Sequence, residues 1–82
     1  MLLNELPDGA RASVRALRAA GGELGEDGLR RLAEIGFIPG EPVRLLRRGP
    51  GGREPLAVLV GDTLFALRLA EARCIDVEPE PA

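Results

Sequence analysis

In RRLAEIGFIPGEPVRLLRRG (residues 30–49) a helical pattern stops at a glycine, a Pro-Gly pair follows three residues later, and an apolar run rich in arginine comes next. Leu29, Leu32, Ala33 and Ile35 make an apolar stripe at helical spacing, with Arg30, Arg31 and Glu34 opposite. The helix should begin near Glu26 or Asp27, where a carboxylate can cap free amides and meet the positive end of the helix dipole. At about two and a half turns it is too short to stand alone and must pack on something. If Gly36 is the left-handed residue past the helix end, Leu32 and Phe37 occupy the two positions whose side chains meet in a Schellman cap. IPGE then fits a type II turn, with Pro39 fixing φ at its second position and Gly40 supplying positive φ at its third. Together these devices send the chain out of a helix and into a strand.

That strand is PVRLLRR, residues 42–48, ended by GPGG. PLAVLV (residues 55–60) and LFALRL (residues 64–69) are joined at Gly61, Asp62 and Thr63 and read as a hairpin. A single helical turn, AEA, and an alternating strand, CIDV (residues 74–77, Ile75 and Val77 inward), complete the run. Upstream, Ala10, Ala12, Val14 and Ala16 alternate with Arg11, Ser13 and Arg15, as in a half-buried strand. Leu17 and Ala19 fall on the opposite parity, which places a bulge or a strand end near Ala16. AAGGELG (residues 19–25) reads as loop. The expected fold is all-β: a small, partly open barrel of about five strands, with one short α-helix inserted between the first two and lying over one end. Residues 1–78 should form this domain, and residues 79–82 a solvated tail.

Composition narrows the function. A chain of 82 residues is one domain with a small core, burying about 60% of its unfolded surface. Eleven arginines and no lysine face 13 acidic residues, for a net charge of −2, which disfavours a phosphate-backbone binder. There is no histidine, hence neither the usual general base nor the commonest metal ligand. The lone Cys74 cannot form an internal disulfide; flanked by inward Ile75, it is expected to face outward and to be incidental. No carboxylate pair has a spacing that singles it out, so no metal site, cofactor or catalytic residue is expected. The opening MLLNELPDG lacks a secretory pattern and no apolar run approaches the ~20 residues of a membrane-spanning helix, so a cytoplasmic location is the default expectation.

LPDGARASV, the central run through RRGP, and GREPLAVLVGDTLFALRLAEARCIDVEP together resemble the FeoA family over nearly the whole chain. The signature is an LxxLGFxPG-like pattern carried by Leu29, Leu32 (spaced a little differently), Gly36, Phe37, Pro39 and Gly40, followed by GPGGREPLAV and ALRxxEA. The resemblance implies a Src-homology-3-like barrel in bacterial ferrous iron uptake. It also implies action on the FeoB membrane transporter through that protein's cytosolic GTPase region. Leu69 departs from the family pattern, which usually has a charged residue there. It is expected in the core, with a contact or dimer position as the alternative.

A small barrel without reactive groups works by presenting a surface. With Phe37 and Phe65 as its only aromatics, the chain is not expected to read proline-rich peptides. Arg44, Arg47, Arg48 and Arg53 cluster in sequence around GPGG, and Arg30 and Arg31 lie on the helix. They read either as solvated charges balanced by Glu34, Glu41 and Glu54 or as an arginine-rimmed patch for acidic groups of a partner. Open strand edges also allow a homo-oligomer. Two other function classes stand beside the adaptor: the barrel module of a metal-dependent transcription regulator, and a small RNA- or ribosome-binding barrel. The first lacks a helix-turn-helix here; the second is disfavoured by the acidic balance and the missing aromatics.

Overall fold

The computed structural model describes residues 1–19 and 24–81. A short 3-10 helix, Leu3–Glu5, precedes β1 (Arg11–Leu17), α1 (Glu26–Ile35), β2 (Pro42–Arg48), a 3-10 turn (Pro50–Gly52), β3 (Leu56–Val60), β4 (Thr63–Leu67), α2 (Leu69–Ala72) and β5 (Ile75–Pro79). All pairings are antiparallel, in the order β4-β3-β2-β1-β5, and among the described residues no ladder joins β4 to β5. The result is an open five-stranded sheet with one main helix between its first two strands. The glycine-rich loop expected over residues 19–25 falls partly outside the described residues.

The devices at residues 32–41 form as their chemistry requires. The Phe37 amide donates to Leu32 O at 3.0 Å and the Gly36 amide to Ala33 O at 3.1 Å, the two bonds of a Schellman cap, with Gly36 at φ +123°. Glu41 N–H donates to Ile38 O at 3.0 Å across Pro39 and Gly40, closing the type II turn, with Gly40 at φ +90°. The turn docks on β1 through Gly40 N–H to Val14 O (2.8 Å) and Val14 N–H to Glu41 O (2.9 Å). At the other end of α1 the expectation needs correcting. Gly25 is the N-cap and no side chain caps the helix; Glu26 and Asp27 lie inside the first turn, where their charge still meets the dipole.

The strands carry the expected alternation, with informative breaks. Ala12 and Val14 are buried in β1, and the register against β5 slips between Val14 and Ala16, where the parity change placed a bulge. A second bulge, between Leu45 and Arg47, was not anticipated. Val43 and Leu45 point into the core, so strict alternation would drive Arg47 inward; inserting Leu46 resolves the conflict and turns Arg47 out. The β3–β4 turn is two residues, with Gly61 at φ +57° and Asp62 at negative φ, as in a type II′ hairpin, and Thr63 already pairs with Val60.

Strand β4 ends at Leu67, two residues earlier than the apolar run implied. Glu71 Oε1 accepts from Arg68 N–H at 2.8 Å and Glu54 Oε1 accepts from Leu69 N–H at 2.6 Å, so both amides belong to the start of α2. Strand β5 begins one residue later than expected and runs to Pro79, and Glu80 N–H donates to Arg11 O at 3.0 Å. Cys74 therefore sits in the turn before β5. It is fully buried, not outward, with Sγ 3.4 Å from Ala70 O, because strand alternation does not yet govern its direction.

The core gathers Leu32 and Phe37 from the helix end, Val43 and Leu45 from β2, Leu56, Val58 and Val60 from β3, and Ile75 and Val77 from β5. Leu3 and Leu6 from the N-terminal segment are as deeply buried as any of these. That segment also covers the β5 edge, where Leu2 bridges to Asp76 and Val77 N–H donates to Met1 O at 2.7 Å.

Candidate interaction surface

The arginines singled out in the sequence do not form one patch. Arg48, opposite the buried Leu56, turns toward the N-terminal segment and donates to the Asp8 carboxylate and to the carbonyls of Asn4 and Leu6, the last at 2.9 Å. It holds that segment against the barrel. Arg44 and Arg47 lie on the outer face of the sheet, opposite Leu59 and Ala57 of β3. Arg53 is exposed in the loop before β3, and Arg30 and Arg31 are exposed on α1. Arg31 and Leu24 border a groove whose other wall carries Glu54, Ala66, Arg68 and Glu71.

The outer face gains a residue that the sequence did not single out. Arg11 of β1 is the direct cross-strand partner of Arg44, and with Leu59 and Glu80 they line a shallow cleft. Arg44 Nε donates to Gly9 O at 3.1 Å, which fixes its stem and leaves its terminal nitrogens for solvent or a partner. Among the described residues no carboxylate forms an ion pair with Arg11, Arg44 or Arg47. Like charges directly opposite on neighbouring strands disfavour the pairing. Thirty-three residues separate Arg11 from Arg44 in the chain, so nothing short of the strand register could have joined them.

The residues of the sequence signature lie in or against the core, at the helix cap and in the turn. Leu32 and Phe37 are buried, Leu29 and Leu69 are half-buried against the core, and Gly36, Pro39 and Gly40 shape the cap and turn. Among the described residues no three His, Cys, Asp or Glu side chains are gathered as metal ligands, and no helix is long and apolar enough to cross a membrane.

Among the described residues Asp76 is the one buried charged side chain. Asp76 receives the Met1 α-amino group at 3.2 Å and pairs with Arg18 Nη2 at 3.0 Å. Burial pushes its carboxyl up, but the α-amino hydrogen bond and the charges of Arg18, the α-amino group and Arg15 outweigh this and hold it below its ordinary 3.8. A carboxyl lowered in the folded state adds stability above its unfolded pKa and loses it as pH falls through the folded value. Asp76→Asn should therefore unfold more easily than the parent at pH 7, with the gap closing below about pH 4. Urea midpoints measured across pH 2–7 check this; a constant gap would mean that the carboxyl's ionisation does not matter.

A model of the FeoA domain matches residues 1–79. The chain belongs to the FeoA family. FeoA of Stenotrophomonas maltophilia, described as a procaryotic SH3 domain protein and solved with zinc, is 44% identical, with 95% of this chain and 89% of that one covered and a TM-score of 0.82. FeoA of Chlorobium tepidum is 33% identical over 96% of this chain and 70% of its own, with a TM-score of 0.77. A manganese-dependent transcriptional repressor shares the fold at a TM-score of 0.76, but at 22% identity and over 41% of its length. No individually curated protein matches with significance. The SH3-like description agrees with the open five-stranded sheet, and FeoA membership supports a role in ferrous iron transport.

Proposed function

We propose that this FeoA chain is a non-enzymatic regulator of ferrous iron uptake, acting by direct contact with the FeoB transporter and its cytosolic GTPase region. The observation that carries this reading is the outer sheet face. Arg11 and Arg44 lie directly opposite one another, Arg47 shares their face, and no carboxylate among the described residues is ion-paired with any of the three. Acidic groups on a partner would relieve the repulsion and gain charge-assisted hydrogen bonds. Leu59 and Ala57, opposite Arg44 and Arg47 on β3, supply apolar contact beside them.

The test is titration of the purified chain into the cytosolic GTPase region of FeoB at low and high salt, with GTP turnover followed in parallel. Arg47→Glu should weaken low-salt affinity by ~10-fold and flatten its salt dependence. Arg30→Glu, on exposed α1 and away from this face, should leave it unchanged. Equal affinity for parent and Arg47→Glu would remove the outer face from the contact. Detectable GTP turnover by the chain alone would remove the non-enzymatic reading.

A further inference from the structure

The two edges of the sheet are treated differently. The β5 edge is covered by the N-terminal segment through the Leu2–Asp76 bridge and the Val77–Met1 hydrogen bond. The β4 edge, Thr63–Leu67, carries no charge, no proline and no bulge against β3, three of the devices that blunt an edge strand. Leu64 is 59% exposed, the most exposed large apolar side chain among the described residues. An open groove runs beside Ala66 and Arg68.

Register decides which backbone groups face outward. In a two-residue hairpin the residues flanking the turn are a hydrogen-bonded pair, so Val60–Thr63, Val58–Phe65 and Leu56–Leu67 hold the ladder. Leu64 and Ala66 then direct their N–H and C=O groups away from β3, and no backbone group outside that ladder bonds to either one among the described residues. They lie symmetrically about Phe65. In an antiparallel partner strand centred on the same residue, Leu64 of one copy meets Ala66 of the other. The two residues exchange both hydrogen bonds, and the two-fold axis repeats the exchange. A large exposed side chain then covers a small one on the outer face.

The flanks agree. Three residues before Phe65 stands Asp62 and three after it stands Arg68, both exposed and without an ion pair among the described residues. The same two-fold sets Asp62 of one copy beside Arg68 of the other, twice. We propose that the β4 edge is a homodimer interface, in which two copies pair antiparallel about Phe65 and join their sheets, Asp62 and Arg68 setting the register. Such a two-fold interface is closed and does not propagate into a fibre. It pairs the backbone edge of β4, two strands from the Arg11–Arg44 pair, and its test reads dimer mass instead of FeoB affinity, so either can fail without the other.

The pairing surface is far smaller than a standard interface, so the dimer should appear at ~0.1–1 mM protein and be absent at ~1 µM. Sedimentation of the full chain measures this, while hydrogen exchange by NMR reads the Leu64 and Ala66 amides. The expected result is concentration-dependent protection of those two amides in step with dimer mass. Asp62→Arg and Arg68→Asp should each weaken dimerisation by at least ~10-fold through repeated like-charge contacts, and the double exchange should restore it. A monomer at ~1 mM, a dimer whose Leu64 and Ala66 amides stay unprotected, or a double variant no better than the singles would each overturn the proposal.

Discussion

Phe37→Ala is expected to destabilise the domain by ~3–5 kcal/mol, the largest effect of any single truncation in this chain. The ring is fully buried and joins the helix end to the barrel: it follows the capping glycine and lies in the same core as Leu32, Leu45 and Val58. Its centroid is 6.4 Å from that of Phe65 with the planes at 52°, a tilted pair worth ~0.5–1.5 kcal/mol beyond burial. Removing it leaves a cavity under α1, a helix of ten residues that depends on packing to persist. A chain of 82 residues has only ~4–12 kcal/mol of total stability, so the variant should lose most of its folded margin, with its melting midpoint down by more than ~12 °C. Far-UV circular dichroism is the suitable probe, because the chain has neither Trp nor Tyr. A midpoint within ~4 °C of the parent would contradict this account of the core.

The second large effect is at Arg48. Arg48→Met keeps the apolar stem but removes the donors to Asp8, Asn4 O and Leu6 O, and should cost ~2–3 kcal/mol. The ion pair contributes the smaller part, since Asp8 is exposed; Asp8→Ala should cost less than ~1 kcal/mol. The larger part comes from two carbonyls flanking the buried Leu3 and Leu6, which lose their fixed partner. Arg47→Met, one residue away on the outer face, should stay within about ±0.5 kcal/mol. Urea midpoints for the three variants check the ordering. Equal losses at Arg47 and Arg48 would mean that the bulge at Leu46 does not distinguish the two side chains.

The contrast between these neighbours marks how far the sequence could be read. In RRG the two arginines look alike, and the sequence reads both in the same way, either as solvated charges or as part of one arginine-rimmed patch around GPGG. What separates them is a one-residue slip of β2 against β3, which depends on a strand contributed by later residues. The patch consequently divides: Arg48 becomes structural, Arg44 and Arg47 stay on the outer face, and Arg11 joins them from β1. Cys74 shows the same limit. Alternation read backwards from Ile75 pointed it outward, but the chain there is leaving α2, and its thiol turns inward toward Ala70 O.

The anchoring of MLLNEL was not legible either. Two buried leucines and a 3-10 turn have too few residues to show a period, and their partners, Arg48 and Asp76, stand more than forty residues away.

By itself the sequence determined the devices whose atoms lie within a few residues of one another. These are the Schellman cap at Gly36 and Phe37, the type II turn at Pro39 and Gly40, the Gly61–Asp62 hairpin, and from them the count and order of strands. Each follows from φ preferences and hydrogen bonds that close locally, so no knowledge of the rest of the chain was needed. Tertiary structure alone decided which arginines face outward, which charge is buried, and which strand edge has no further pairing among the described residues. Those outcomes depend on register between strands distant in the chain, and a shift of one residue reverses the face on which a side chain lies.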